Sequence, residues 1–314
     1  MGPFAPASLA AAVSNAGGLG SIGTFGLDPI QLVRPADDLQ RQFASIRDLT
    51  NRPFAVNYVV PYFDERVDER TALFELGMSI RPKLVSFALA DPGDLVKRAH
   101  AAGALVMHQV TTVDQAEQAA ARGVDVIVAQ GGEAGGYGGS VATMVLVPQV
   151  VDAVRPIPVV AAGGIFDGRG LAAALVLGAV GINIGTRFLA AREATISDAY
   201  KQAIIAAASQ DAVKFDALND LLPSPGTKGY GTVLRSLRTA FIDELQAQHD
   251  LARRDAERFK GILRAAIAAG KVHEVMPTAG QTAGGIHEVL PASEIVQRMI
   301  SEAEMVLALA AKPS

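Results

Sequence analysis

The chain has 314 residues, half of them hydrophobic, with a net charge of −4 and no long run of either sign. That length buries a large core as one barrel or two smaller domains, and that charge carries no nucleic-acid or anionic-membrane footprint. The absence of cysteine excludes disulfides, thiolate metal sites and cysteine nucleophiles.

No basic-then-apolar leader opens the chain, so a cytoplasmic protein is the expectation. The first residues, Met1-Gly2-Pro3, run straight into a helical pattern at 6–15. Short β-rich apolar runs come next, at 19–23, 53–60, 83–89, 104–110, 124–130, 158–162 and 179–185. Helical patterns at 95–101, 113–122 and 168–177 separate several of them. Runs that are apolar on both faces suit parallel strands covered by helices. Seven such runs, with one strand before Met1, make a (β/α)8 TIM barrel. An open doubly wound sheet is the alternative. The most apolar stretch, 171–191, is broken by Asn183 and Arg187 and reads as a helix and a buried strand, not a membrane span.

After Arg192 the pattern changes. Residues 197–270 read as a helical cap or substrate subdomain, with a Pro-Ser-Pro-Gly break at 223–226. Residues 271–314 read as a return segment that packs on the barrel, giving a division into 1–196, 197–270 and 271–314.

With a strand before Met1 counted as the first, Gly163-Gly164 comes after the seventh strand and Gly185-Thr186 after the eighth. Barrels of this kind bind phosphate with those two loops and a short helix N-terminus. Glycine lets backbone N–H groups approach phosphate oxygens, and a helix end adds partial positive charge. Tight turns made by small residues are the plain alternative, but two such turns on successive strands favour the phosphate. At the end of the sixth strand, Gln130-Gly131-Gly132-Glu133-Ala134-Gly135-Gly136-Tyr137-Gly138-Gly139 suits a flat ring lying against backbone, or a flexible surface loop. Asn57 and Gln109 end the third and fifth strands, and each amide both donates and accepts, as a pyrimidine-like edge requires. Simple strand capping explains either one equally well.

His100, His108, His249, His273 and His287 form no helix-spaced pair or metal set, so structural or surface roles are expected and no metal site is assigned. Arg235 and Arg238, three apart on a helical face, are expected to form a solvated face rather than to point at an anionic group.

Taken together these motifs resemble the nitronate monooxygenase (2-nitropropane dioxygenase) family. Residues 8–20 are similar to its N-terminal signature and 130–139 to its central glycine motif. Residues 161–164, 167–170 and 185–189 are similar to its phosphate-binding half, and 279–286 to its C-terminal return segment. The resemblance implies an FMN-dependent oxidoreductase with a small-molecule substrate and O2 or NAD(P)H as co-substrate. It leaves a homodimer open. Related enzymes include FMN-dependent enoyl-ACP reductases and NADH:quinone reductases.

Carried over, the resemblance puts Gly163, Gly164, Gly185 and Thr186 on the FMN phosphate. It puts Asn57, Gln109, Gln130, Gly135 and Gly136 around the ring and ribityl chain, with Met1 and Gly2 touching it by backbone and Gln281 approaching from the tail. The chain departs from the family in two places. The family has about one more strand before the position of Met1. Its catalytic histidine falls at Tyr137, whose phenol, with a pKa of about 10, is a poor base near neutral pH but still donates a hydrogen bond or proton. The expected reaction is oxidation of alkyl nitronates by O2. The rivals are NAD(P)H-dependent reduction of an enone, enoyl thioester or quinone, a non-redox barrel holding a phosphorylated metabolite, and a flavin-binding protein without turnover.

Overall fold

The computed structural model describes residues 4–24, 26, 35–60, 67–221, 230–248 and 254–311. Met1, Gly2, His249 and the 223–226 break lie outside the described residues. Seven parallel strands form one curled sheet: β1 (Gly20–Gly23), β2 (Phe54–Val59), β3 (Leu84–Ala88), β4 (Leu105–Val110), β5 (Val126–Gln130), β7 (Val159–Ala162) and β8 (Gly181–Asn183). They are hydrogen-bonded in chain order, which short crossovers dictate. These are the seven apolar runs of the sequence. Among the described residues β1 and β8 pair on one side only. β8 is accordingly half-exposed along its length, where a buried strand was expected.

Alternation along each strand sorts the side chains. Val56, Tyr58, Val85, Phe87, Val106, Val110, Ile127, Ala129 and Ala161 share one buried cluster with Leu39, Phe43, Phe74, Ala99, Ala116 and Leu146 of the surrounding helices. Those strand residues therefore face outward into the helix layer. Asn57, Ser86, Gln109 and Gln130 take the alternate positions and face the barrel interior. The long helix Ala292–Ala310 packs on α7 (Gly168–Val176) and on α1 (Ala7–Asn15), so that the helix ring closes behind β8 and β1.

The middle piece is not wholly helical. Asp198–Ala206, Ala240–Ala247 and Ala256–Ala268 are helices, but Ala212–Phe215 (β9) and Val233–Leu237 (β10) are strands. They form an antiparallel sheet with β6 (Gly136–Gly138), in the order β6-β10-β9. The expected helical cap is thus a mixed one, sewn to the barrel through the glycine loop. Arg235 and Arg238 consequently share no helical face. Arg235 lies within β10, and Arg238, after it, is exposed and pairs with Asp243 at 3.3 Å. Among the described residues no helix is long and apolar enough to cross a membrane.

His108 belongs to the outward set and is fully buried. Its Nδ1 lies 3.2 Å from the Phe87 carbonyl oxygen and its Nε2 2.7 Å from the Tyr230 hydroxyl. A neutral imidazole satisfies both partners: Nδ1–H donates to the carbonyl and Nε2 accepts from the phenol. Burial lowers its pKa to about 4, outweighing the hydrogen bond to the Phe87 carbonyl and the charge of Asp91. The unfolded chain binds the proton near pH 6.5 and the folded one does not. Stability from this group is therefore full above pH 6.5 and falls, by up to about 3 kcal/mol, as the pH drops toward 4. Urea midpoints at pH 7 and pH 5 should differ more for the wild type than for His108→Gln. Parallel midpoints for the two would assign the pH dependence to other groups.

Candidate active site

The site is built at the carboxyl ends of β5, β7 and β8. Register sets Gln130 level with Ala162, and Ala162 level with Asn183, so the turns after them lie side by side. Gly163 and Gly164 have φ of +89° and +71°, which a side chain rarely adopts. A Cβ on Gly163 would lie 2.8 Å from the Gly131 carbonyl oxygen. Gly185 begins the four-residue helix α8 (Thr186–Leu189). Among the described residues the N–H groups of Gly163, Gly164, Gly185 and Thr186 find no acceptor. Two adjacent strand ends therefore present unpaired donors in one place, as a bound anion requires. Thr186 Oγ1 accepts from the Gly280 N–H at 2.9 Å, which leaves its own hydroxyl hydrogen free to donate.

The glycine loop is held on all sides. Gly131 N–H donates to the Ala162 carbonyl at 2.8 Å. A Cβ on Gly131 would collide with Thr143 Oγ1, and one on Gly135 with the backbone of Ala279 and Gly280. Glu133 accepts at both carboxylate oxygens from the Thr143 N–H, at 3.0 and 3.1 Å, and its Oε2 lies 2.8 Å from Thr143 Oγ1. It thereby caps α6 (Thr143–Val154), where a negative charge is favoured by the helix dipole. Gln281 N–H donates to the Glu133 carbonyl at 3.0 Å, so the tail returns to the site. A flexible surface loop does not describe this segment.

Inside the barrel Asn57 Nδ2 reaches the carbonyl and hydroxyl oxygens of Ser86, at 3.3 and 3.2 Å. Gln109 Nε2 donates to Gln130 Oε1, and Gln130 Nε2 donates to the Tyr137 carbonyl at 3.3 Å. The two glutamines form an amide relay from the inner wall to the glycine loop. Gly136 has φ of +76° and opens β6. Tyr137 lies opposite Leu234 of β10, half-buried beside the cap cluster of Phe215, Leu234, Phe241 and Phe259.

Gln109, Gln130, Gly135, Gly136, Gly163, Gly164, Gly185, Thr186 and Gln281 thus gather toward one rim, while Asn57, expected near its strand end, sits in mid-strand level with Ser86 and Met107. Ser86 and Glu133 join them through their hydrogen bonds, unmarked by any motif of their own. Ser86 sits in an unremarkable apolar strand. Glu133 stands ten residues before Thr143, too far along the chain for a local capping signal.

A curled parallel sheet ringed by helices, with glycine turns and open N–H donors at adjacent carboxyl ends, defines a TIM-barrel fold. The sequence model of the nitronate monooxygenase family matches residues 1–302. A hydroxy-methyl-oxo-octahydroindene-carboxyl-CoA dehydrogenase of Rhodococcus jostii is 36% identical over 269 residues, 83% of this chain and 69% of that protein. The structure of FabK from Thermotoga maritima superposes with a TM-score of 0.83 at 32% identity, covering 99% of this chain and 92% of that one. Nitroalkane oxidase from Streptomyces ansochromogenes superposes at 0.77 and 28%, covering 99% and 95%. The chain belongs to the nitronate monooxygenase family, a family of flavin-dependent oxidoreductases.

Removing the Glu133 carboxylate uncaps α6. Glu133→Ala should cost about 1–2 kcal/mol, read as a lower urea midpoint with an unchanged slope. An unchanged midpoint would mean that water replaces the cap at no cost.

Proposed function

We propose that the chain binds FMN in the barrel mouth and oxidises a small organic substrate there. The carrying observation is that the N–H groups of Gly163, Gly164, Gly185 and Thr186 find no acceptor among the described residues, which fits a terminal phosphate. Positive φ at both glycines, and the collision that a Cβ on Gly163 would cause, fit a cradle that must stay bare. Bound there, FMN supplies two-electron transfer between the substrate and a co-substrate. Gln109 and Gln130 offer a donor and acceptor pair to a pyrimidine edge, and Asn57, Gly135, Gly136 and Gln281 line the approach. Contacts from Met1 and Gly2 remain an expectation.

The family name favours an alkyl nitronate as substrate and O2 as acceptor. Tyr137 then orients the anionic nitro group, and its phenol is a poor base for a neutral nitroalkane. A second reading, reduction of an enone, enoyl thioester or quinone by NAD(P)H, is favoured by the similarity to a carboxyl-CoA dehydrogenase. In that reading the phenol of Tyr137 donates the proton. A cytoplasmic location accords with either reading.

The protein should purify yellow with non-covalent FMN, and Gly163→Val should lose it. A colourless wild type that takes up no added FMN would remove the cofactor reading. Anaerobic mixing with NADPH separates the two reactions, because only the reductase is bleached by it. Tyr137→His should raise turnover of neutral nitroalkanes. Tyr137→Phe should keep nitronate turnover within about tenfold, less than the loss of a general base costs. If Tyr137→Phe instead abolishes NADPH-driven reduction, the proton-donor role stands.

A further inference from the structure

Beside the glycine loop lies a cavity of about 330 Å³, lined by Gly132, Glu133, Ser140, Ala142, Lys214, Arg235 and Gln281. Two cations project into it from directly paired positions, Lys214 on β9 and Arg235 on β10. Lys214 Nζ donates to the carbonyl oxygens of Gly138, at 3.4 Å, and Gly139. Arg235 donates to those of Ala212 and, at 2.9 Å, Gly132. Its Nε is buried and finds no partner among the described residues.

These contacts clamp the glycine loop to the cap, but clamping does not require charge. Neutral amides would bind the same carbonyls without setting two cations side by side. Burial, then the charge of Arg235, holds Lys214 below the ordinary lysine pKa, and burial lowers Arg235 as well, each against the opposing charge of Glu133. Glu133 is the single carboxylate in the lining, and both its oxygens are committed to Thr143. The lining therefore carries one net positive charge. Ser140 Oγ and the Gln281 side-chain amide add donors that bond no described residue. Glu133 also neighbours Gly164, whose Cβ would lie 3.6 Å from the Glu133 Cβ, so the cavity adjoins the cradle at the barrel mouth.

We propose that this cavity is an anion subsite for the diphosphate of an organic substrate or co-substrate whose reactive end works in the barrel mouth. The proposal rests on the flavin oxidoreductase reading and deepens it, since neither a simple alkyl nitronate nor O2 carries such a group. Two carriers share the chemistry: a nicotinamide dinucleotide and a coenzyme A thioester.

The flavin-loaded full chain is titrated with inorganic pyrophosphate by calorimetry. The wild type should bind it. Lys214→Gln should weaken binding about tenfold or more, as loss of a charge-assisted hydrogen bond does, and Lys214→Arg should retain it. Ser140→Asp, which leaves the clamp intact, should weaken it too. Flavin content should not change. KM is then measured for NADPH, and for a short enoyl-CoA against the matching N-acetylcysteamine thioester, which lacks the phosphates. The diphosphate substrate whose KM rises about tenfold in Lys214→Gln and Ser140→Asp, with kcat within about twofold, is the occupant. Absent or variant-independent pyrophosphate binding, pyrophosphate that displaces FMN, or KM values that do not move would each overturn the proposal. Failure to bind FMN is a separate result: the flavin-free chain still reports on this cavity by the same titration.

Discussion

The rim of this barrel depends on how closely four backbone segments approach one another. The glycine loop, the Gly163-Gly164 turn, the start of α6 and the Ala279-Gly280 tail meet with no room for a Cβ on Gly131, Gly135 or Gly280. That closeness lets Gly131 donate to Ala162 and lets Gln281 donate to Glu133. A segment so glycine-rich has much conformational entropy to lose on folding. Hydrogen bonds and a capped helix supply the compensation, and the loop ends as a strand of the cap sheet rather than as a mobile flap.

Sheet order does the rest of the positioning. β5, β7 and β8 are consecutive neighbours, so the polar wall of Gln109 and Gln130 stands beside the turns with unpaired N–H groups. If FMN binds as proposed, its pyrimidine edge and terminal phosphate meet partners on adjoining strands at the carboxyl ends. Below the rim the outward-facing strand residues Val56, Val85, Phe87, Val106, Val110, Ile127, Ala129 and Ala161 are apolar, and His108 among them is held neutral.

The charges at the mouth are unevenly distributed. Glu133 serves a helix N-terminus, while Lys214 and Arg235 sit together against backbone carbonyls. Low dielectric raises both the cost of that juxtaposition and its value to an incoming anion.

Periodicity and turn chemistry made the barrel legible. The seven apolar runs, the helices at 6–15, 95–101, 113–122 and 168–177, and the paired glycine turns all appear where the sequence places them, because each is local and built of residues that repeat its own geometry. Resemblance to a family supplied the expectation of FMN and of a role for each site residue, where turn chemistry alone had pointed only to a phosphate and a polar ring edge. The small sheet was not legible. Its three strands are three to five residues long and lie far apart in the chain, and one consists of two glycines around Tyr137. So short a strand carries no readable alternation, and its partner is chosen by tertiary packing. The same packing turned Arg235 inward against Gly132, set Lys214 beside it, and put Glu133 on α6. Side-chain direction at such positions depends on which distant strand arrives alongside. The sequence by itself therefore determined the barrel and its turns, and the tertiary structure alone decided the charge around the mouth.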